Sequence, residues 1–282
     1  MKVAVTLASG QLGSAIIKAL IAKIGKNQVL GIARTPEKAE HLGIEIRKGD
    51  YNNRSDFDVA LQGVDQLVIV SGMDDPQRRI QQHRNVIEAA KQNGVKKIIY
   101  TSIIGDEEGT GFNPVVKSNR QTEEDVQSSG LEWVIGRNGI YIEPDLEYLD
   151  NYIQAGKISN CAGNGKVGYT SRAELAMAYA NMLLEEKHNG QTYNLNGQAI
   201  TQSQLADYIN QAFGTNLTFK DLSVTDYQKE RQAALGDFLG TIIAGIYEGI
   251  RKGVNEVPSD FEKAAGRPHL SPLEMMKHFQ QN

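Results

Sequence analysis

The chain has 282 residues, 40% of them hydrophobic and 23% charged, enough for one large core or two modest ones in an ordinary folded protein. A formal net charge of −4 argues against a nucleic-acid partner, which wants a basic face, and the lone Cys161 excludes an intramolecular disulfide or a cysteine metal cluster. No apolar run approaches the ~20 residues that span a bilayer, and the run 3–8 is too short for a signal-peptide core.

The first half alternates short apolar runs with helical patterns. Strands are expected at 2–6, 28–33, 45–48, 66–70, 97–101 and 131–136. Most are nearly continuous apolar runs, as strands are when helices cover both faces. Helices are expected at 11–24, 36–42, 54–61, 77–93 and 119–129. Thr35-Pro36 offers an N-cap followed by proline at the first helical position, and Gly94 closes the fourth helix. This alternation predicts an α/β fold built on a doubly wound parallel sheet of the Rossmann type.

The pattern changes after about Asn138. "CAGNGKVGYT" reads as strands joined by a turn at Asn164-Gly165, and "TSRAELAMAYANMLLEE" as a helix with small residues for close packing on the sheet. "TYNLNG" is a further strand, and Thr201 with Gln204 resembles a capping box. The tail from Ser223 is mostly helical, with turns at Gly236 and Pro258. We expect a nucleotide-binding lobe at 1–155 and a smaller α+β lobe at 156–282, interleaved in one body. Cys161 is expected to be small and half-buried beside a turn. The five histidines show no close ligand spacing, so no metal is expected. The chain is expected to be cytoplasmic, with no membrane partner.

The first strand and helix are joined by Leu7-Ala8-Ser9-Gly10-Gln11-Leu12-Gly13. A strand, a glycine turn and a helix start aim backbone N–H groups and the positive helix end at an anion. Gly10 permits close approach of a diphosphate, and Gly13 permits close packing of helix on strand. The place of the first glycine in the usual three is taken by Leu7. If the turn needs positive φ there, a Cβ costs about 1–2 kcal/mol; if not, the side chain crowds the ribose. The second strand ends at Ala33 and is followed by Arg34 and, one helical turn on, Lys38. An acidic residue here would hold the ribose hydroxyls of NAD; a basic one suits the 2′-phosphate of NADP. A solvated pair beside Glu37 is the alternative.

The stretches "SGQLGSAII", "GIARTPEKA", "KGDYNN", "LQGVDQLVIVSG", "QHRNVIEAAKQNGVKKIIYTS", "SGLEWVIGRNGIY", "AGNGKVGYTSRAELA", "TYNLNG" and "SPLEMMKHF" together resemble the NmrA-like branch of the atypical short-chain dehydrogenases, in particular its bacterial NADPH:quinone oxidoreductases and triphenylmethane reductases. The resemblance runs nearly end to end; Leu7 is its main departure. It implies a lobe that binds NADPH along the carboxyl ends of the strands. It places Ser9, Gln11 and Leu12 with Gly10 and Gly13 in the turn, Arg34 and Lys38 at the 2′-phosphate, and Ser71, Gly72, Thr101 and Ser102 past the fourth and fifth strands. Arg137, Asn138 and Tyr141 fall at the nicotinamide and acceptor cleft, as the catalytic candidates. Blander roles stand beside these: Ser71-Gly72 as a small turn and Arg137 as a bridge between loops. His83 either faces the cleft or is a hydrogen-bonded structural histidine.

Alcohol-oxidising members of this superfamily use a Tyr with a Lys four residues on, the Lys lowering the Tyr pKa. No Tyr here has that partner: Tyr141 is followed by Asp145, Tyr148 by Tyr152 and Tyr247 by Arg251. Ser102 stands where the catalytic serine would fall, but "KSNRQTEEDVQ" holds no Tyr. This disfavours an epimerase or an ordinary ketoreductase. It favours an oxidoreductase that passes hydride from NADPH to a small quinone-like acceptor, whose reduced anion is already delocalised. The alternatives are a redox-sensing regulator that binds NAD(P) and a protein partner without turnover, and a protein that keeps the fold but no longer binds the cofactor. The sequence leaves a homodimer open.

Overall fold

The computed structural model describes residues 1–281. The first half runs β1 (Val3–Val5), α1 (Gln11–Ile24), β2 (Val29–Ala33), a 3-10 turn (Pro36–Leu42), β3 (Glu45–Lys48), α2 (Arg54–Ala60), β4 (Gln66–Ile69), α3 (Pro76–Gln92), β5 (Lys97–Ile103), α4 (Asn113–Gln127) and β6 (Glu132–Asn138). Next come β7 (Ile140–Tyr141), α5 (Glu143–Glu147), α6 (Leu149–Ala155), β8 (Lys157–Asn160), β9 (Val167–Thr170), α7 (Arg172–Leu184) and β10 (Gln191–Leu195). The chain ends with β11 (Ala199–Ile200), α8 (Gln202–Phe213), β12 (Thr218–Asp221), α9 (Val224–Leu235), α10 (Asp237–Arg251), α11 (Phe261–Ala265) and α12 (Pro272–Gln280).

Seven parallel strands make the central sheet, in the order β10-β6-β5-β4-β1-β2-β3. The strand order reverses between β1 and β4, and such a reversal opens a crevice at the carboxyl edge. Alternate residues of each strand serve opposite faces. Val3 and Val5 join the core under α1 and α7, whereas Ala4 joins the core under α2 and α3. A third core, of Ile142, Leu146, Ile158, Tyr169, Leu205 and Met276 among others, fills the second lobe. The cores do not follow one cut in the chain: α5 supplies the third core, and α7, β10 and α11 return to the first.

Several expectations need correction. α4 begins at Asn113, not 119; Pro114 sits in its first turn, where its missing N–H has no helical partner to lose. Residues 36–42 form a 3-10 turn rather than an α-helix, and the Thr35 side chain makes no capping bond. β8 and β9 do not pair with each other: β8 lies parallel to β12, while β9 sits between β7 and β11. Cys161 is fully buried, its thiol on the Ala244 carbonyl. The Thr201–Gln204 capping box is present.

Leu7 is the one non-glycine residue at positive φ among those described, at 50°. The turn therefore needs the left-handed conformation, and Leu7 holds it because its side chain wedges between the first two cores. Strain and burial oppose each other here, and a substitution series separates them. Leu7→Ala keeps the strained Cβ and loses the packing; Leu7→Gly loses the packing and the strain. Thermal melting should find Leu7→Gly the more stable of the two by about 1 kcal/mol, the reverse of the usual Ala over Gly order. Ala above Gly would mean that the turn carries no such strain.

Candidate functional site

The carboxyl edge of the sheet gathers the residues singled out in the sequence. In the first turn, Leu7 places its carbonyl to accept from the Gly10 N–H at 2.8 Å. A Cβ on Gly13 would collide with that same carbonyl oxygen, so the turn closes only over glycine. α1 opens with no side-chain cap and no acid in its first turn. By contrast α7, α8, α9 and α12 open on capping Ser or Thr side chains. The N–H groups of Gln11, Leu12 and Gly13 precede the helical ladder and have no intrahelical acceptor. An uncapped N-terminus behind a glycine cradle suits the diphosphate of a dinucleotide. Ser9, Gly10 and Gln11 are exposed at its mouth, whereas Leu12 and Gly13 are buried against the sheet.

Arg34 and Lys38 are exposed beyond the end of β2, and neither is within ion-pair distance of a carboxylate among the described residues. Past β4 the side chains turn inward. The Ser71 N–H donates to Thr101 Oγ1 at 2.9 Å, so Thr101 is buried as a tie between β4 and β5. The Ser71 hydroxyl lies 3.3 Å from both Tyr100 Oη and Asn119 Oδ1, and accepts from Arg79 Nη2 at 3.0 Å. The Gly72 N–H donates to His83 Nε2, at 3.3 Å, which leaves the ring proton on Nδ1, facing Thr122 Oγ1 at 3.0 Å. Burial, with the nearby Arg79 charge, lowers the His83 pKa to about 3. His83 is thus a neutral, hydrogen-bonded part of the core and does not face the cleft.

Ser102 and Arg137 meet at a residue the sequence reading passed over. Glu123 of α4 is 4% exposed. Its carboxylate accepts from Ser102 Oγ at 2.5 Å, from Arg120 Nη1 at 2.7 Å and from Arg137 Nη2 at 2.5 Å. Arg120 reaches on to the carbonyls of Ile103 and Gly105, at 3.1 and 2.9 Å. Ser102 and Arg137 are therefore both tied to α4 in this arrangement, Arg137 reaching a helix and not a second loop.

Asn138 and Tyr141 do come together. The buried Tyr179 hydroxyl of α7 shares its one proton between Asn138 Oδ1 at 2.6 Å and the Gly136 carbonyl at 2.9 Å, and Asn138 Nδ2 donates to Tyr141 Oη at 2.9 Å. Because Tyr141 Oη accepts from Asn138, its own proton is left for another acceptor. Burial pushes the Tyr141 pKa up to about 12, with the Asn138 bond and the Arg172 charge opposing; Arg172 lies 5.8 Å from the ring centroid. Tyr141 is thus a neutral donor. Tyr179 fits because Gly136 of β6 has no side chain; a Cβ there would strike its ring. Sequence spacing held a signal for some of the missed residues. Val116, Asn119, Glu123 and Val126 recur every three or four positions and form the buried face of α4.

A sequence model of the NAD(P)H-binding family matches residues 8–186. Quinone oxidoreductase 2 of Escherichia coli is 34% identical over 98% of this chain and 98% of its own length. Among solved structures, the E. coli NADPH-dependent quinone oxidoreductase complexed with NADPH has a TM-score of 0.90 at 33% identity, covering 99% of both chains. The Citrobacter sp. triphenylmethane reductase complexed with NADP(H) gives the same TM-score, 0.90, at 33% identity and 99% coverage of both chains. With its Rossmann-type sheet and glycine turn, the chain belongs to the NAD(P)H-binding family, in its NmrA-like branch.

Proposed function

We propose that this protein is an NADPH-dependent oxidoreductase that passes hydride to a quinone or a similarly conjugated small acceptor. Full-length likeness to proteins of that activity supports the reading. The observation that carries it is the end of β6, where the Tyr141 hydroxyl accepts from Asn138 and so keeps its proton for another acceptor, and no lysine stands ready to lower its pKa. The turn at Leu7–Gly13 and the start of α1 would hold the diphosphate, with Arg34 and Lys38 at the 2′-phosphate. NADPH supplies the hydride when bound.

Hydride addition to a quinone leaves a delocalised hydroquinone anion. Tyr141 would donate a hydrogen bond to the oxygen where that charge develops. A hydroquinone is a phenol with an ordinary pKa near 10, below the value of about 12 for Tyr141. The proton therefore stays on Tyr141, and water protonates the product. A plain ketone has no such delocalisation and needs a proton as charge develops; lacking a general acid costs it a factor of about 10²–10⁴. Asn138 holds the Tyr141 oxygen, and Tyr179 fixes which way the Asn138 amide points.

Cofactor choice is tested at Arg34. Removing a charge-assisted contact weakens binding by about 1.5–3 kcal/mol, so Arg34→Ala should raise the NADPH dissociation constant tenfold or more and leave NADH nearly unchanged. Equal losses would remove Arg34 from the 2′-phosphate.

The chemistry is tested by NADPH oxidation with a benzoquinone and with a matched cyclic ketone, the quinone alone being turned over. Tyr141→Phe should lower kcat by roughly 10- to 100-fold, the worth of a hydrogen bond to a charged group, while NADPH affinity holds. Tyr179→Phe should give a smaller loss in the same direction. Tight NADPH binding with no turnover of any acceptor would favour the non-catalytic regulator instead.

The pH profile follows from the raised pKa of Tyr141. Its donor form is half lost at about 12 and is essentially complete two or more pH units below. Between pH 6 and 9, kcat with a quinone should show no limb that disappears in Tyr141→Phe. Such a limb would mean that Tyr141 ionises in turnover.

A further inference from the structure

Arg79 stands in the first turn of α3 and heads the face of that helix turned to the sheet, followed by His83, Val86 and Ala90. It is 3% exposed. Its neighbours are neutral: Nη2 donates to Ser71 Oγ at 3.0 Å, and the Tyr100 ring lies beside it across the same hydroxyl. The buried Nε has no hydrogen-bond partner. The two acids that precede it are committed elsewhere. Asp74 accepts from Gln82 at 2.8 Å and faces Arg78 at 3.8 Å, and Asp75 caps α3 through the N–H groups of Gln77 and Arg78.

A buried guanidinium without a carboxylate is costly, and the positive end of α3 beside it adds to the cost. Its influence reaches the next turn, where it helps to keep His83 neutral. No carboxylate among the described residues pairs with it, so an anion from outside the chain is free to compensate the charge. Its position narrows the choice. Ser71 lies just beyond β4, and β4 is hydrogen-bonded to β1, whose end carries the glycine turn. Neighbouring strands are about 4.8 Å apart, so Ser71, which the guanidinium contacts, stands one strand from the turn on the side toward β5 and β6. The donors offered to the acceptor, Asn138 and Tyr141, lie two strands further along, past β6. The nearer anion is the diphosphate.

We propose that Arg79 is a buried anion-binding residue that engages the diphosphate of the bound dinucleotide. The proposal rests on the cofactor reading above. It separates two arginines by what they see: Arg34 the 2′-phosphate that only NADPH carries, Arg79 the diphosphate common to NADPH and NADH.

The test measures dissociation constants for both nucleotides by cofactor fluorescence, and melting temperatures of the nucleotide-free protein, for the wild type, Arg79→Met, Arg79→Lys and Arg34→Ala. Arg79→Met should raise both dissociation constants by the same factor, about tenfold or more. Without nucleotide it should melt no lower than the wild type, because a stranded charge has been replaced by an apolar chain of similar length. Arg79→Lys should recover part of the affinity, and it carries the test if Arg79→Met fails to fold. Unchanged binding of both nucleotides overturns the proposal, including the case in which turnover alone falls and the charge serves the acceptor. A variant that melts well below the wild type and still binds both nucleotides marks Arg79 as structural and overturns it too. A wild type that binds neither nucleotide overturns the cofactor reading itself; a wild type that binds, with indifferent variants, overturns only the role of Arg79.

Discussion

The cleft depends on one buried carboxylate. Glu123 ties α4 to β5 through Ser102 and to β6 through Arg137, while Arg120 carries the tie on to the backbone after β5. Taking these charges out of water is recovered only when geometry is close and every oxygen is satisfied; here two guanidinium groups and a hydroxyl share one carboxylate. The consequence for the site is geometric. Consecutive residues of a strand point to opposite faces. With Arg137 fixed toward α4, Asn138 must face α7, where Tyr179 waits in the space that Gly136 leaves. The polar chain that ends at Tyr141 is set in direction by an ion cluster it never touches.

The turn after β1 shows how a departure from a motif is absorbed. A first glycine would take φ of 50° freely; Leu7 takes it under strain and repays part of that with contacts to two cores. The features that face a ligand are untouched by the exchange. Gly10 still closes on the Leu7 carbonyl, Gly13 still clears it, and α1 still opens uncapped. The replacement therefore bears on the stability of the turn more than on the donors it offers.

Most of the sheet was legible because most of its parallel strands are near-continuous apolar runs. The expected strands match β1 to β6 within two residues at either end. β10 was legible as a strand from "TYNLNG", but its partner was not, since pairing β10 with β6 is a matter of tertiary contact. β8 and β9 were legible as strands joined by a turn, but their partners, β12 for β8 and β7 and β11 for β9, were not, for the same reason. The site was legible at the backbone and obscure at the side chains. Glycines and strand ends mark the turn and the edge. Whether Ser102, Thr101 or Arg137 faces the cleft depends on a carboxylate or a strand neighbour far along the chain, and the sequence reading assigned these by position alone. Glu123 was hidden in "NRQTEEDV" because a charged residue on a polar helix reads as solvated. Its spacing with Val116 and Asn119 put it on the buried face.

The electrostatics of the crevice fit a reaction that makes a stabilised anion. Arg137 is neutralised by Glu123, Arg34 lies exposed at the rim, and Arg79 is buried between α3 and the sheet. Tyr141 is held protonated by burial, and His83 is held neutral. Neither Tyr141 nor His83 changes charge near neutral pH, so the site offers fixed dipoles rather than a proton shuttle. Preorganised donors of this kind act on charge as it appears, without reorganising. They give little help to an oxygen that must gain a proton to accept hydride. The same arrangement that leaves the ordinary ketone without a partner is sufficient for an acceptor that spreads its own charge, and chemical selectivity then follows from what the cleft lacks as much as from what it aims.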